Sequence, residues 1–239
     1  MAAPTGPPPL TEQEYWQDYE IIKNDVHAAM VSCYTHRAIN HIVATEMDIL
    51  EKMNRSAEFW QVTSFGLQNT LFIVLARILD SDRDAHSIHQ VLNATIAHPE
   101  FFNHAALRAR KLSIPGAQWD PKFLNEYVAG AWQPTTQDLR ALKRALAPHK
   151  TKFDEIYKPI RNQVAHIILK DDARVADLYS RALKTDIDEI LRFLHSLIKS
   201  IWYMAFNAVP PNLNGDHYGY PERVTQITKD TENMLRRLP

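Results

Sequence analysis

Only six of the 239 residues are glycine. Antiparallel strands fold back through tight turns whose positive φ angles favour glycine, so a chain this poor in glycine has little room for hairpins. The sequence carries no alternating hairpin pattern and no GxGxxG or GxxxxGK loop. Apolar residues recur instead three and four apart, the period of a helix. The spacing predicts an all-α fold, a helical bundle with an irregular helical insertion.

Residues 1–10 form a Pro-rich tail expected to be disordered. From Glu12 to His36, Trp16, Tyr19, Ile22, Val26 and Met30 mark one helical face, and Ile39, Ile42, Val43, Met47 and Leu50 continue it as a second helix or as one long one. Ser56 is placed to cap a helix ending near Leu79 that is apolar on nearly every side, which predicts a central, buried helix. Ser87 precedes a shorter helix, Ile88 to Ala97. Prolines and glycines then punctuate 98–134, read as a surface insertion. Thr135 or Thr136 starts a helix that Pro148 should end near Ala147, and Pro159 is suited to the first turn of the next. Asp186 is placed to cap a long helix reaching Asn207, and an amphipathic helix closes the chain from Glu222 to Leu238. The expected organisation is one helical domain over 11–208, with the loop and last helix of 209–239 packed on it.

Apolar residues make up 45% and charged residues 23%, a globular mixture. Cys33 is the single cysteine, which excludes an intrachain disulfide, a Cys-rich zinc site and an iron–sulfur cluster, and fits a reducing cytoplasm. The apolar runs are far short of the roughly 20 residues that span a bilayer, so no membrane partner is expected. A net charge of −1 excludes a globally basic nucleic-acid coat. Charge is unevenly spread, however: residues 140–199 hold 13 basic and 8 acidic side chains, and the rest of the chain is acidic.

The acidic stretch from Asp80 begins like a calcium-binding loop but has Ala85 where the turn needs glycine and Val91 where a bidentate glutamate belongs. His86 and His89 lie beside it in an HxxH spacing with no second cluster to complete a metal site. No glutamate is followed three residues later by histidine, which excludes a di-iron bundle. No metal or other cofactor is therefore expected. Arg77, Asp80 and Asn69 fall on one side of the apolar helix and are open to two readings, a site or a structural ion pair between Arg77 and Asp80 at i+3.

Chance supplies about two Arg/His pairs separated by four to six residues in such a chain, and three occur: Arg161/His166, Arg144/His149 and Arg83/His89. Pro148 is expected to separate the second pair, and the third straddles a loop. On a wheel turning about 100° per residue, Val164, Ile167 and Ile168 join Ile160 in one apolar stripe, while Asn162 and His166 lie opposite and Arg161 flanks them. An amide, an imidazole and two apolar groups on the outer side suit a helix covered on both faces.

The run Lys158-Pro-Ile-Arg-Asn-Gln-Val-Ala-His-Ile-Ile-Leu169 resembles the signature of the HEPN superfamily, Arg followed by a polar residue and, a few positions on, His. The blocks at 59–63, 71–80 and 87–92 resemble its abortive-infection (AbiU-type) branch. The resemblance implies an all-α homodimer whose two motifs meet in a cleft, with Arg161 and His166 catalytic and Asn162 supporting them. It further implies a metal-independent endoribonuclease of a toxin or antiphage system, with RNA as substrate, a 2′,3′-cyclic phosphate as product, and an antitoxin or nucleotidyltransferase as a further partner. Two other readings stand beside it: a non-catalytic HEPN module that binds RNA, nucleotide or a partner protein, and an unrelated helical interaction protein.

Overall fold

Local capping chemistry sets where the helices begin. In the computed structural model, which describes residues 10–82, 86–160 and 184–239, Thr11 and Glu14 form a capping box that opens α1, Glu12–Thr45. The two sequence patterns are thus one helix of 34 residues. It stops at Glu46, which adopts an extended conformation before α2, Met47–Asn54. Helix α3, Ala57–Ile78, follows Ser56 and α4, Ile88–Ala97, follows Ser87, but neither serine side chain caps its helix with a hydrogen bond.

A 3-10 turn at Pro99–Phe102, α5 (His104–Leu112) and α6 (Pro121–Gly130) make up the punctuated segment. It is tied into the body of the molecule: Phe101 and Phe102 enter the main core. The Arg110 guanidinium, 9% exposed, donates to Glu12 at 2.9 Å, to the Ala205 carbonyl at 2.6 Å and to the Phe101 carbonyl. Buried arginine is tolerated where such partners meet its donors.

Helix α7, Thr136–Lys152, opens on a second capping box, Thr135 with Asp138. Pro148 does not end it but sits inside it. Arg144 and His149 therefore share one helix, contrary to the expectation from the proline. They do not converge, since Arg144 is exposed and the His149 ring stacks on Phe193 at 4.1 Å. A π turn, Phe153–Tyr157, carries the helical path on to residues 158–160. There the Lys158 N–H reaches back to the Phe153 carbonyl, and Pro159, which has no N–H, follows inside a continuing helical path instead of opening a new helix.

Helix α8, Lys184–Asn207, is already helical before Asp186, so Asp186 is no cap; its carboxylate takes the Lys152 ammonium at 2.8 Å. Helix α9, Tyr220–Arg236, closes the chain. No strand occurs among the described residues.

Helix α1 is the axle. It packs most extensively on α3, with α9 and α8 on its other sides. Tyr15, Tyr19, Ile22, Val26 and Met30 from α1 meet Leu75 and Ile78 from α3 and Leu191, Leu194, Leu197 and Ile201 from α8. A smaller cluster, Ile39, Ile42, Ile49, Met53 and Leu235, joins α1, α2 and α9.

Helix α3 departs from the sequence expectation of a central helix. Leu71, Phe72, Val74, Leu75 and Ile78 are buried, whereas Phe59, Val62, Phe65 and Ile73 are open to solvent, Val62 at 70%. Only one of its sides faces α1. Periodicity registers that a face is built to be covered, not which element of which chain covers it.

Candidate functional site

Arg161, Asn162 and His166 lie outside the described residues, as do Arg83 and the 1–9 tail. The described chain runs up to the motif at Ile160, which is fully buried in the main core, and resumes at Lys184.

Arg77, Asp80 and Asn69 are not brought together. Arg77 turns away from Asp80 to Asp25 on α1: its Nε donates to Oδ2 at 2.6 Å and its Nη2 to Oδ1. The expected pair with Asp80 does not form; the partner of Arg77 is Asp25, fifty-two residues away in sequence. Asp80 accepts the backbone N–H of Asp82 and borders a shallow recess with Lys150, Asp154 and Lys158. The Asn69 Oδ1 is buried without a hydrogen-bond partner.

The HxxH pair also separates. His86 meets Asp18 at 2.9 Å on the surface, whereas the His89 Nε2 is buried without a hydrogen-bond partner. Burial holds the His89 imidazole below its ordinary pKa, with Lys150 and Lys143 adding to the effect. No group of three or more metal-ligating side chains occurs among the described residues.

Sequence reasoning missed a polar wall on α1. Cys33, His36, Arg37, Asn40, His41 and Ala44 share one face of that helix and line a cavity of about 550 Å³. Leu71 and Phe72 of α3 and Lys184 and Ile187 of α8 complete it. The signal was present in the sequence: four polar residues interrupt an otherwise apolar face between Cys33 and Ala44.

Arg37 is fixed in place. Its Nη2 donates to the Lys184 carbonyl at 2.5 Å, its Nη1 lies 3.4 Å from Asp188, and its guanidinium sits over the Tyr34 ring. The His36 imidazole is held below its ordinary value by burial and then by Lys184 and Arg37, so it is mostly neutral at pH 7 and can accept a proton. Burial pushes the Cys33 thiol up to about 11, which removes it as a nucleophile near neutrality. This wall gathers the Arg37 guanidinium, the Lys184 ammonium and the His36 and His41 rings.

The relationship to known proteins can now be set beside this geometry. Residues 10–216 match the model of the AbiU2 family of HEPN domains. The chain belongs to that family. A match over 10–216 covers α1 to α8, and the all-α architecture agrees with the helical HEPN fold. It also excludes the reading of an unrelated helical protein whose Arg/His spacing arose by chance. No curated protein and no solved structure is detectably similar to the chain. The AbiU2 assignment makes this an abortive-infection-associated HEPN module. No helix among the described residues is long and apolar enough to cross a membrane.

Proposed function

We propose that the protein is a metal-independent endoribonuclease of an abortive-infection or toxin system, cutting RNA at a composite site in the cleft of a homodimer. The observation that carries this reading is the Arg161-Asn162…His166 motif, inside the span that matches the AbiU2 family.

The chemistry follows from the side chains. A neutral His166 takes the proton of a ribose 2′-hydroxyl. The 2′-oxygen attacks the adjacent phosphorus, and the bond from phosphorus to the 5′-oxygen breaks. A protonated His166 of the partner subunit gives its proton to that oxygen. The products are a 2′,3′-cyclic phosphate and a free 5′-hydroxyl. Arg161, charged throughout, pairs with the non-bridging oxygens as charge builds on them. Asn162 orients the pair.

Two described features support the reading. His36, Arg37, His41 and Lys184 put cations and imidazoles on one wall, suited to RNA phosphates. The exposed face of α3 supports a second copy as partner. From Phe59 to Ala76 the helix holds no charged residue, while Glu58 lies just before that stretch and Arg77 just after it. Two α3 helices crossing antiparallel about a two-fold axis near Gly66 would cover Phe59, Val62, Phe65 and Ile73. The same pairing would set Glu58 of each copy beside the other's Arg77. A small antitoxin or nucleotidyltransferase encoded nearby is the further partner of this reading.

The test is cleavage of end-labelled RNA in EDTA by the purified protein, beside His166→Ala and Arg161→Ala. Cleavage by the parent alone, leaving a cyclic phosphate, is the expected result. Equal cleavage by all three would move the activity elsewhere. No cleavage by any, on RNA from infected as well as uninfected cells, would leave a binding module without catalysis.

A further inference from the structure

Nearer the N-terminus of α1 than the wall that holds His36 and Arg37, Lys23 and His27 of α1, His195 and Lys199 of α8, and Arg223 of α9 surround a cavity of about 360 Å³. No acidic residue lines it among the described residues. Lys23 is balanced by Glu20 at 2.6 Å. Lys199 has no hydrogen bond or ion pair among the described residues, and the Arg223 Nη2 donates to the His27 ring at 3.2 Å instead of to a carboxylate.

The same two helices treat their other arginines differently. Arg192 on α8 is paired with Asp188 and Asp216, and Arg236 on α9 with Glu46 and Glu232. The acidic residue nearest the cavity mouth on α9 is Glu222, next to Gly219, and it does not form part of the wall.

Lys199 of α8 and Arg223 of α9 thus leave two cations in the wall with no carboxylate beside them among the described residues, a placement that favours a negative group. The placement registers on the imidazoles. His27 is held below its ordinary value by burial and then by Arg223, and His195 by burial first, with Lys199 and His27 adding to it. The rim is built at a cost as well. Tyr218 has φ 62° and Gly219 φ 73°, a left-handed region that a bulky side chain rarely enters. The Tyr218 carbonyl accepts from His195 Nε2 at 3.2 Å, and its ring stacks on Tyr203 at 4.8 Å.

The floor is apolar, formed by Val26, Met30 and Ile198. A volume of about 360 Å³ falls among small-molecule sites, which run roughly 300–1,000 Å³. A guanidinium, an ammonium and imidazole rings around an apolar floor match a phosphate attached to an organic body. Walls on three sides favour a small molecule over a continuous polymer track.

We infer that the cavity between α1, α8 and α9 binds a small organic phosphate, its phosphate held by Lys199, Arg223 and His27 and its organic part resting on Val26, Met30, Ile198 and the Tyr218 ring. Tyr218, Gly219 and Arg223 lie beyond the residues that match the family. The inference does not rest on the ribonuclease reading, and its test leaves Arg161 and His166 untouched.

The test is calorimetric titration of the full chain in EDTA with pyrophosphate, ATP, adenosine and a 2′-O-methyl oligoribonucleotide, which cannot be cleaved through its 2′-oxygen. Pyrophosphate and ATP are expected to bind, more weakly as salt rises, while adenosine gives no measurable binding. Lys199→Met and Arg223→Gln are each expected to weaken ATP roughly tenfold, the scale of one lost charge-assisted contact. Lys122→Gln on α6 serves as the unaffected control. The two variants lie on different helices, and a thermal melt of each checks that it folds. Lys199→Arg, which keeps the charge, is expected to retain binding. The inference is overturned if neither phosphate binds, if adenosine binds as tightly as ATP, if only the oligoribonucleotide binds, or if both variants keep the parent's affinity.

Discussion

Arg77 and Asp25 form an asymmetric pair. The aspartate side chain is 9% exposed and the guanidinium 53%. Removing the arginine strands a buried carboxylate, whereas removing the aspartate frees a cation that already reaches water. Arg77→Ala is therefore expected to cost more stability than Asp25→Ala, roughly 2–3 against 1 kcal/mol by urea denaturation, with the double variant costing less than the two combined. Equal single costs would show that the pair is held by packing and not by charge. The pairing also marks a limit of sequence reading. The charge on Arg77 demands a partner, and Asp80 at i+3 is the nearest candidate, but a contact fifty-two residues away leaves no local trace. Local chemistry is more legible at Thr135, which opens a helix through a capping box, than at Ser56, which makes no cap hydrogen bond.

At the scale of one helix, α3 carries the clearest signal and the largest difference from expectation. Apolar residues on every side predict burial within one chain, yet Phe59, Val62, Phe65 and Ile73 form an open surface. Gly66 sits in the exposed stripe, and a Cβ added there would meet nothing within 4 Å. Nothing inside the chain requires a glycine at this position, so Gly66→Ala should raise the melting temperature of the dilute protein, by the roughly 0.5–1 kcal/mol that separates the two residues in a helix. Gly66→Leu and Val62→Glu should instead lower self-association, read by sedimentation across a concentration series, with helical content unchanged. Undisturbed association in both would move the interface off α3. In α7, Pro148 shows the reverse error: the residue that most strongly announces a helix end lies inside a helix, because packing of Leu139, Leu142 and Leu146 in the core outweighs one lost backbone bond. Of the candidate site, the Arg161–His166 motif was legible through residue order alone. The wall of His36, Arg37 and His41 was not, because it takes its meaning from Lys184, which α8 brings alongside.

Over the whole molecule, the titration of histidine sets the response to acid. His27, His36, His89, His149 and His195 are all held below the ordinary imidazole value, in each case chiefly by burial. The unfolded chain then binds more protons than the native one as pH falls below about 6.5. Stability is full above that value and declines as pH drops through the native pKa values. Glu14, Glu46, Glu100 and Asp138 are held low by hydrogen bonds, so a second loss follows below about pH 4.5. Melting curves from pH 8 to pH 4 should show both steps, and His195→Gln should flatten the first. A melting temperature constant from pH 7.5 to 5.5 would contradict this account.

Helix α1 is made first and completed last. Its Tyr19 hydroxyl donates to the Ile198 carbonyl, 179 residues further on, and Thr35 meets Thr231, 196 residues further on. A ribosome adding about 5–20 residues per second needs on the order of ten seconds to supply those partners. Through that interval the leading helix presents an unfilled apolar face to the cell, and long-range closure of this kind is slow. The axle therefore acts as a proofreader of completeness. A message broken before α8 and α9 leaves α1 packed on α3, with the sides that those two later helices cover left bare.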